Sequence, residues 1–416
     1  MENLRKVYDL NTKYILGSND NFLSNLREEL IKNFVFDNNL KKNNESLKHI
    51  DPSVLNELNF NTNNEELNFE YLNDDNSDSS LVVKNGSHFS LMNIDKKKAI
   101  FDTINSNLDF LVTKLENNKN HFKDDYIVNL NSIFLNSGFH FKLKENNNLE
   151  LSLVHTNDQF NNTIYAKNFF HIEKNSKLVL IEKFSNKTKS NSNIINYFEL
   201  DEGSEVTHLV VQNNIDSSNL QFTSHANCHK NAKFNQLIFN CSDISLRNHH
   251  YASLIGKNSE ANLKGIFFAR KNQIIDNKTE ISHLDHSCIS NQTYKGILTD
   301  KSKASYLSKT FVDKKAQKTD GYQLSKGILL SDDAYFFSKP ELRIYADDVK
   351  CSHGSTIGPF NYEEIFYLRS RGLSEKKAKS LLIKSFCQDL LTSIKKDKYL
   401  IGINQLVDNW LSINAI

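Results

Sequence analysis

The sequence predicts a mainly β protein whose central part is a parallel β-solenoid, in which successive coils of short strands stack on one another. Three observations support this prediction. The chain carries a repeat of about 28 residues, apolar and polar residues alternate within each repeat, and turn-forming residues recur at the same place. A repeat of this length that consists of strands and turns is typical of a solenoid, whose coils contact only their neighbours.

The repeat is marked by five turn-like positions, which are spaced 29, 28, 28 and 27 residues apart: Asn146, Asn175, Gly203, Asn231 and Asn258. Asn and Gly tolerate the left-handed backbone angles that tight turns require. Residues that can be buried lie three positions before each turn and three positions after it. The preceding ones are Leu143, Ile172, Leu200, Cys228 and Ile255, and the following ones are Leu149, Leu178, Val206, Phe234 and Ala261. An antiparallel sandwich is the alternative, but it would not naturally give such a steady spacing.

The residues beside the turns alternate as they do in strands, for example in FKLKENNNLELSL, FFHIEKNSKLVLI and YFELDEGSEVTHLVV. Residues two apart lie on one face of a strand, so the pairs Phe141/Leu143, Phe170/Ile172 and Phe198/Leu200 are each expected to point the same way. We assign residues 125–358 to this solenoid core.

Helices are expected on both sides of the core. Residues 1–124 are predicted to form an N-terminal helical region, because Phe22, Leu23, Leu26 and Leu30 recur at helical spacing in NFLSNLREELIKNF. The polar stretch NDDNSDSS (73–80) reads as a loop. Residues 359–416 are predicted to form a C-terminal helical domain, in which NYEEIFYLRSR ends at Gly372 and Ser374 caps the next helix. That helix carries an apolar stripe of Ala378, Leu381, Leu382, Phe386 and Leu390.

Composition argues against several classes of function. The 416 residues include 51 Lys+Arg and 50 Asp+Glu, and the resulting charge of +1 does not suggest a nucleic-acid partner. Five cysteines without a CxxC pair indicate reduced thiols in the cytoplasm. The start of the chain lacks the apolar region of a signal peptide, and no apolar run is long enough to span a membrane. The motifs GxxxxGK[ST], GxGxxG, HExxH and GxSxG are also absent, so we expect no bound nucleotide and no zinc-protease site.

A candidate ligand pair lies in DDVKCSHGSTIG (347–358), where Cys351 and His353 are two residues apart. In an extended segment their side chains would project from the same face, where both could bind one metal ion or one edge of a cluster. Structural metal sites usually have four protein ligands and catalytic ones three, so this pair is an incomplete site. The alternative interpretation is a buried cysteine beside a surface histidine. The spacing alone does not decide between the two.

The other histidines and cysteines are interpreted as structural. Cys228, between His225 and His229, falls on an apolar position of the repeat and is expected in the core. In ISHLDHSCIS, an extended strand would place His286 and Cys288 on one face and His283 on the other, and we favour structural or surface roles for all three. His249 and His250 are expected on opposite faces of one strand.

The second half of the chain resembles the SufB/SufD family of iron–sulfur cluster assembly scaffolds. The matching stretches are DNKTEISHLDHSCISNQTYKGIL (276–298), AQKTDGYQLSKGILLSDDA (316–334), KPELRIYADDVKCSHGSTIG (339–358) and FYLRSRGLSEKKAKSLLIKSF (366–386). The chain is most similar to the SufD branch, because Cys351-Ser352-His353 stands where SufB carries a His-Glu-Ala-Thr type sequence. Tyr294-Lys295-Gly296 likewise stands where SufB tends to have Tyr-Arg-Gly.

The resemblance implies a right-handed parallel β-helix between two helical regions and a protein that is not an enzyme by itself. It implies a partner, SufB, and a transient iron–sulfur cluster that is shared at the SufB interface near Cys351 and His353. It also implies that the ATPase SufC docks on the C-terminal helices, for which we expect Tyr367, Arg369, Arg371 and Leu381 to contribute contacts. SufC would then supply the nucleotide site that this chain lacks.

Two alternatives stay open at the level of the sequence. The first is a carbohydrate-active β-helix enzyme, because pectin-degrading enzymes share this architecture. Such an enzyme would need an acidic cluster with Lys or Arg along a groove, and usually export from the cell. The second is a purely structural scaffold that forms a homodimer when it is isolated.

Overall fold

The computed structural model describes residues 2–33, 67–72, 78–118, 125–186, 188–215, 219–392, 394 and 397–414. Most of the predicted loop at 73–80 lies outside these residues. The described part of the chain forms strands in its centre and helices towards both ends. The α-helices are α1 (Glu2–Asn11), α2 (Asn21–Asn33), α3 (Leu108–Asn118), α4 (Tyr126–Phe134), α5 (Tyr362–Ser370), α6 (Glu375–Leu391) and α7 (Asp397–Ile413).

The strands form two sheets. Sheet A has eleven strands, in the order β1-β3-β2-β6-β8-β10-β12-β14-β16-β18-β20, and sheet B has nine, in the order β19-β17-β15-β13-β11-β9-β7-β5-β4. The strands are β1 (Asn68–Leu72), β2 (Ser80–Lys84), β3 (His88–Met92), β4 (Ala99–Thr103), β5 (Ser137–Leu143), β6 (Asn148–Asn157), β7 (Asn162–Ile172), β8 (Lys177–Asn186), β9 (Ser190–Leu200), β10 (Glu205–Ile215), β11 (Asn219–Cys228), β12 (Lys233–Asn240), β13 (Leu246–Leu254), β14 (Glu260–Ala269), β15 (Ile274–His283), β16 (Ile289–Leu298), β17 (Lys303–Val312), β18 (Thr319–Leu329), β19 (Tyr335–Ile344) and β20 (Val349–Gly358).

The centre of the chain is the predicted parallel β-solenoid. From β6 onwards consecutive strands alternate between the two sheets, and each strand pairs in parallel with the equivalent strand of the next coil. Seven such pairs follow one another, from β6/β7 to β18/β19, before the last strand β20. Because each position lies above its equivalent in the next coil, rows of like residues run along the solenoid.

The five predicted turn positions adopt the left-handed backbone conformation. Asn146, Asn175, Asn231 and Asn258 have φ between 57° and 59°, and Gly203 has φ of 71°. The backbone N–H of each of the five turns donates to a carbonyl of the next coil, for example Asn146 to Lys174. Asn suits these positions because its short polar side chain tolerates this conformation.

The same turn continues where the sequence no longer marks it. Ser287 and Lys318 take the equivalent position in the later coils, with φ of 60° and 59°. Their backbone N–H groups also donate to the following coil, at Gln317 and Asp348. Hydrogen bonds between stacked coils therefore hold Ser287 and Lys318 in the left-handed conformation, although neither residue type favours it.

The predicted buried positions are confirmed with two exceptions, Leu149 and Ile255, which are both half-buried. Leu143, Ile172, Leu200 and Cys228 are fully buried, and the last three of them lie in register on β7, β9 and β11. In the next coil the residue that pairs with Cys228 is Leu254, which is buried, and not Ile255, which is half-buried. The backbone N–H groups of Ile255 and Gly256 both donate to the carbonyl of Cys228, so this turn holds one extra residue.

The N-terminal region contains strands as well as the predicted helices. Helix α2 buries Leu23 and Leu26, as predicted. Four strands of five residues each follow, and β2 pairs in parallel with β6 while β4 pairs antiparallel with β5. These short strands extend both sheets beyond the first coil. They were not predicted, because the helical spacing of apolar residues in the region indicated helices. The domain limits at residues 124 and 358 stay predictions.

The C-terminal helices pack on the outer face of sheet A. Ile383, Cys387 and Leu390 of α6, with Trp410 of α7, join one core cluster with strand residues that include Phe268. The predicted cap is confirmed, since the Ser374 side chain accepts a hydrogen bond from the backbone N–H of Lys377. The predicted stripe is only partly buried. Ala378 and Leu390 are in the core, whereas the Leu381 side chain is 49% exposed. No helix in the described residues is long and apolar enough to span a membrane.

Candidate functional site at the last strand

The candidate ligands lie on β20, the last strand of sheet A. Within the described residues β20 pairs only with β18, so its other edge faces no strand of this chain. Cys351 lies beside Gly321 of β18 and His353 lies beside Gln323. The two candidate ligands are therefore in one extended strand, two residues apart, which is the arrangement expected from their spacing.

Cys351 and His353 continue two rows that point into the solenoid. Their neighbours Gly321 and Gln323 are buried, and so are Ser290 and Gln292 one coil earlier. No described strand covers β20, so the same row positions are open at this end. As a result Cys351 is half-buried and His353 is exposed.

The sulfur of Cys351 lies at the edge of a small apolar cluster. This cluster contains Val312, Ala316 and Ala346, and Cys351 packs against it. A Cβ atom added at Gly321 would lie 3.5 Å from the sulfur, so a glycine at that position leaves room beside the thiol. Burial, with a contribution from the charge of Asp320, raises the pKa of Cys351. The thiol is therefore protonated at neutral pH, and a metal ion would have to displace this proton in order to bind the sulfur.

The described residues offer no complete metal site. No group of three or more His, Cys, Asp or Glu side chains among them could hold a metal ion. The Cys351–His353 pair thus places one thiol and one imidazole at an open end, and a tetrahedral metal site there would need further ligands from beyond the described residues.

Large apolar side chains are exposed beside this end of the solenoid. Tyr322, Tyr335, Phe337, Ile344 and Tyr345 are between 37% and 62% exposed. We call these five residues the end patch. β19 and β20 are also the outermost strands of their sheets in the described chain. Uncovered sheet edges and several exposed large apolar side chains are features of a site where another protein binds.

A second exposed surface lies on the C-terminal helices, where the four predicted docking residues are found. Tyr367, Arg369 and Arg371 are exposed on or directly after α5, and Leu381 is exposed on α6. The Arg371 guanidinium lies 5.3 Å from the centre of the Tyr367 ring, and Arg369 lies 3.7 Å from Glu375.

Sequence reasoning missed two further residues on this surface. Tyr362 and Phe366 of α5 are 80% and 74% exposed. Their spacing of four residues, which places them on one helical face, is the signal that could have identified them. With Tyr367 and Leu381 they form what we call the helix patch.

Cys228, His249 and His250 lie where the sequence predicted them. Cys228 is fully buried in the main core cluster. His249 and His250 do lie on opposite faces of β13. His249 contacts Asp276 on the outer face at 2.9 Å, and His250 contacts Ser224 inside the solenoid at 2.8 Å.

The expected faces of His283, His286 and Cys288 are wrong, because the segment is not one strand. His283 ends β15, and His286 and Cys288 lie in the turn before β16. His283 and Cys288 are both buried, and His283 Nε2 lies 2.8 Å from the Ser290 hydroxyl. His286 is partly exposed and contacts Asp285.

Comparison with known proteins identifies relatives for most of the solenoid. Residues 153–386 match the family described as "SUF system FeS cluster assembly, SufBD core domain". The iron-sulfur cluster assembly protein SufD of Escherichia coli is 37% identical over 162 residues, which cover 39% of this chain and 37% of that protein. A SufBD family protein of Synechocystis is 31% identical over 204 residues, covering 49% and 45%. SufD of Plasmodium falciparum is 28% identical over 258 residues, covering 60% and 17%. The matched parts thus span less than half of each of these relatives.

Proposed function

The chain belongs to the SufBD core family of iron–sulfur cluster assembly proteins, and we propose that it is the non-catalytic scaffold subunit that pairs with SufB. The nascent cluster then forms at the interface between the two subunits, with Cys351 and His353 as the ligands from this chain. The observation that carries this proposal is the position of the pair on the uncovered last strand.

The incomplete ligand set supports a site that two subunits share. A thiolate and an imidazole bind iron or an iron–sulfur cluster, but they leave coordination positions for ligands from the partner. The end patch supplies apolar surface for that partner beside the ligands. A cluster held by few ligands from each side is also easily released when the subunits move apart, which is what a scaffold requires.

The helix patch is the surface on which we place the ATPase SufC. Tyr362, Phe366, Tyr367 and Leu381 expose large apolar area, and Arg369 and Arg371 lie beside them. Aromatic residues and arginine are the residue types that dominate the binding energy of protein interfaces. SufC would hydrolyse the nucleotide, for which this chain has no phosphate-binding motif. We place the chain in the cytoplasm, because all five cysteines are free thiols.

The cluster proposal is tested by His353→Ala and Cys351→Ser in a complex reconstituted with SufB and SufC. Both variants should assemble the complex but yield less than a tenth of the wild-type iron and acid-labile sulfide. Ser352→Ala is the matched control, because Ser352 lies between the two ligands on the opposite face of β20. Wild-type iron and sulfide in the His353→Ala complex would remove His353 from the site.

The docking proposal is tested by Tyr367→Ala and Leu381→Ser in a binding measurement with purified SufC. Each variant should weaken SufC binding at least tenfold and leave SufB binding unchanged. Phe160→Ser is a suitable control, because Phe160 is 72% exposed in the turn between β6 and β7. If both helix-patch variants bind SufC like the wild type, SufC docks elsewhere.

The end patch leads to one further expectation. Without SufB its apolar surface is free for a second copy of this chain, so the isolated protein should form a homodimer. Sedimentation of Tyr345→Ser against the wild type measures this, and a wild-type protein that stays monomeric at all concentrations would contradict it.

A further inference from the structure

We propose that a cleft on the outer face of sheet B binds a planar aromatic carboxylate. The cleft has a volume of about 490 Å³ and lies where β5, β7, β9 and β11 pass beside α3. This volume is within the range of small-molecule sites and is large enough for one or two fused rings. The cleft is lined by residues of sheet B and α3 and includes none of the candidate cluster ligands, the end patch or the helix patch.

Two aromatic surfaces bound the cleft. Phe169 of β7 and Tyr197 of β9 lie in register, and their rings are stacked with centres 5.1 Å apart and planes 10° apart. Phe110 of α3 stacks on His140 of β5, with ring centres at 4.4 Å and planes 27° apart. The rings of Phe110 and Phe169 meet edge to face at 5.4 Å. A planar aromatic ring can stack on such surfaces. A flexible aliphatic chain cannot make these ring–ring contacts.

The carboxylates of the cleft already have partners. His171 Nε2 lies 3.0 Å from Asp201, and His229 Nε2 lies 2.7 Å from Glu199. Asn227 also donates to Glu199, at 3.1 Å. Both acidic groups of the cleft are therefore already held by side chains of this chain.

Two buried nitrogen atoms close to aromatic rings of the cleft have no hydrogen-bond partner in the described part of the chain. They are His140 Nε2, in the wall, and the Lys167 ammonium nitrogen, which is buried 5.6 Å from the centre of the Tyr197 ring. A buried polar atom without a partner is destabilising, so such atoms often mark the place of a ligand. Lys114 adds positive charge to the same wall, 5.6 Å from the Phe110 ring. The Lys167 nitrogen is a donor, and His140 Nε2 is one in the tautomer that carries its proton there, so a carboxylate would complement both.

Burial also sets the charge of these two groups. It lowers the pKa of Lys167 to about 7 and, with a contribution from His171, the pKa of His140 to about 4. His140 is therefore neutral at pH 7, and Lys167 can take up a proton when an anion enters the cleft. The rings of the cleft and the positive charge of Lys114 support the fit of a negatively charged ring, since the two carboxylates of the lining are paired with histidines.

The probe for this site is 2-naphthoate, which carries one carboxylate on two fused rings. Isothermal titration and saturation-transfer NMR with the isolated full-length chain should give saturable binding at one site. Two related compounds separate the contributions. 2-Naphthalenemethanol keeps the rings without the charge, and cyclohexanecarboxylate keeps the charge without an aromatic ring. Each should bind at least tenfold more weakly, and equal binding of either compound would overturn the proposal.

Protein variants locate the site. Tyr197→Leu removes one stacking surface, Phe110→Leu removes the other, and Lys114→Met removes a positive charge. The first two should weaken 2-naphthoate binding at least tenfold and Lys114→Met about threefold. Tyr345→Leu is the control for loss of an aromatic ring, because Tyr345 is 62% exposed in the end patch.

Phe110→Leu keeps the test decisive if the buried Tyr197 variant does not fold, since Phe110 lies on α3 and is only half-buried. Unchanged binding in Phe110→Leu, or equal weakening in Tyr345→Leu, would place the ligand elsewhere. The experiment uses neither SufB nor SufC, so its outcome is independent of the proposed role in cluster assembly.

Discussion

Replacement of Glu182 by glutamine tests how a buried carboxylate contributes to the stability of the solenoid. Glu182 lies on β8, points into the solenoid and is fully buried. One of its oxygens lies 2.7 Å from His155 Nε2. The other lies 2.8 Å from His208 Nε2 and accepts a hydrogen bond from the Asn196 amide at 2.7 Å. The carboxylate thus joins three coils through three partners.

The expected magnitude follows from these contacts. Glutamine keeps one acceptor oxygen and replaces the other with an NH₂ group, which cannot accept from the histidine or asparagine that faces it. A hydrogen bond to a charged group contributes about 1.5–3 kcal/mol, and a buried donor left without a partner adds to the loss. We therefore expect Glu182→Gln to lower the free energy of unfolding by about 3 kcal/mol at pH 7.

The pH dependence gives an independent estimate. Burial opposes ionisation, but the hydrogen bonds from His155 and His208 outweigh it and lower the pKa of Glu182 from 4.5 to about 2. Because the folded-state pKa is below the unfolded one, the stabilisation is fully present above about pH 4.5. It is lost as the pH falls through about 2. A difference of this size corresponds to about 3 kcal/mol at neutral pH, in agreement with the estimate from the contacts.

Urea unfolding followed by circular dichroism at pH 7 and pH 3 measures this contribution. The difference in unfolding free energy between wild type and Glu182→Gln should shrink from about 3 kcal/mol at pH 7 to about 1 kcal/mol at pH 3. Glu202→Gln is the control, because Glu202 is exposed and pairs with Lys230 at the surface, where ion pairs contribute little. A difference that is the same at both pH values would show that Glu182 is not ionised in the folded protein.

Three further substitutions test the packing of the fold. Asp389→Asn should weaken the attachment of α6 to sheet A by about 1–2 kcal/mol, because the buried Lys295 ammonium loses the carboxylate that it contacts at 2.6 Å. Faster hydrogen exchange in α6, with unchanged exchange in the solenoid, would be the sign of this. Gly138→Ala should cost about 2 kcal/mol or more in thermal unfolding, since φ is +144° and the added Cβ would lie 2.0 Å from the Lys167 carbonyl oxygen. A wild-type melting temperature would contradict that geometry. Cys228→Ser should cost about 1–3 kcal/mol, because it places a hydroxyl in an apolar row, and a urea midpoint equal to that of the wild type would show that the hydroxyl finds a partner.

Much of the fold could be predicted because every coil of a solenoid repeats the same local structure of strands and turns. A left-handed turn is needed once per coil, and Asn or Gly meets that need at Asn146, Asn175 and Gly203 with almost constant spacing. Apolar residues must recur beside each turn, and this places Cys228 in the core rather than in a metal site. Each of these signals acts within about ten residues of the chain, so a single sequence reveals it.

Other features depend on contacts between distant segments. The extra residue at Ile255 is visible only once Leu254 is seen in register with Cys228. Strands β1 to β4 are too short to be recognised by periodicity, and they are stabilised by pairing with β5 and β6. Glu182 reads as an ordinary charged residue until the stacking of coils brings His155 and His208 to it.

For the candidate site, the amino-acid sequence by itself determined the ligand types, their shared strand face and the family to which the chain is similar. Only the tertiary structure decided that Cys351 and His353 occupy inward-facing rows that no further coil of the described residues covers. The alternation of side-chain direction along a strand is a local property of the backbone, so it can be recognised from neighbouring residues in the sequence. Whether a side chain is covered depends on where the stack of coils ends, and that is a property of the whole assembly of strands.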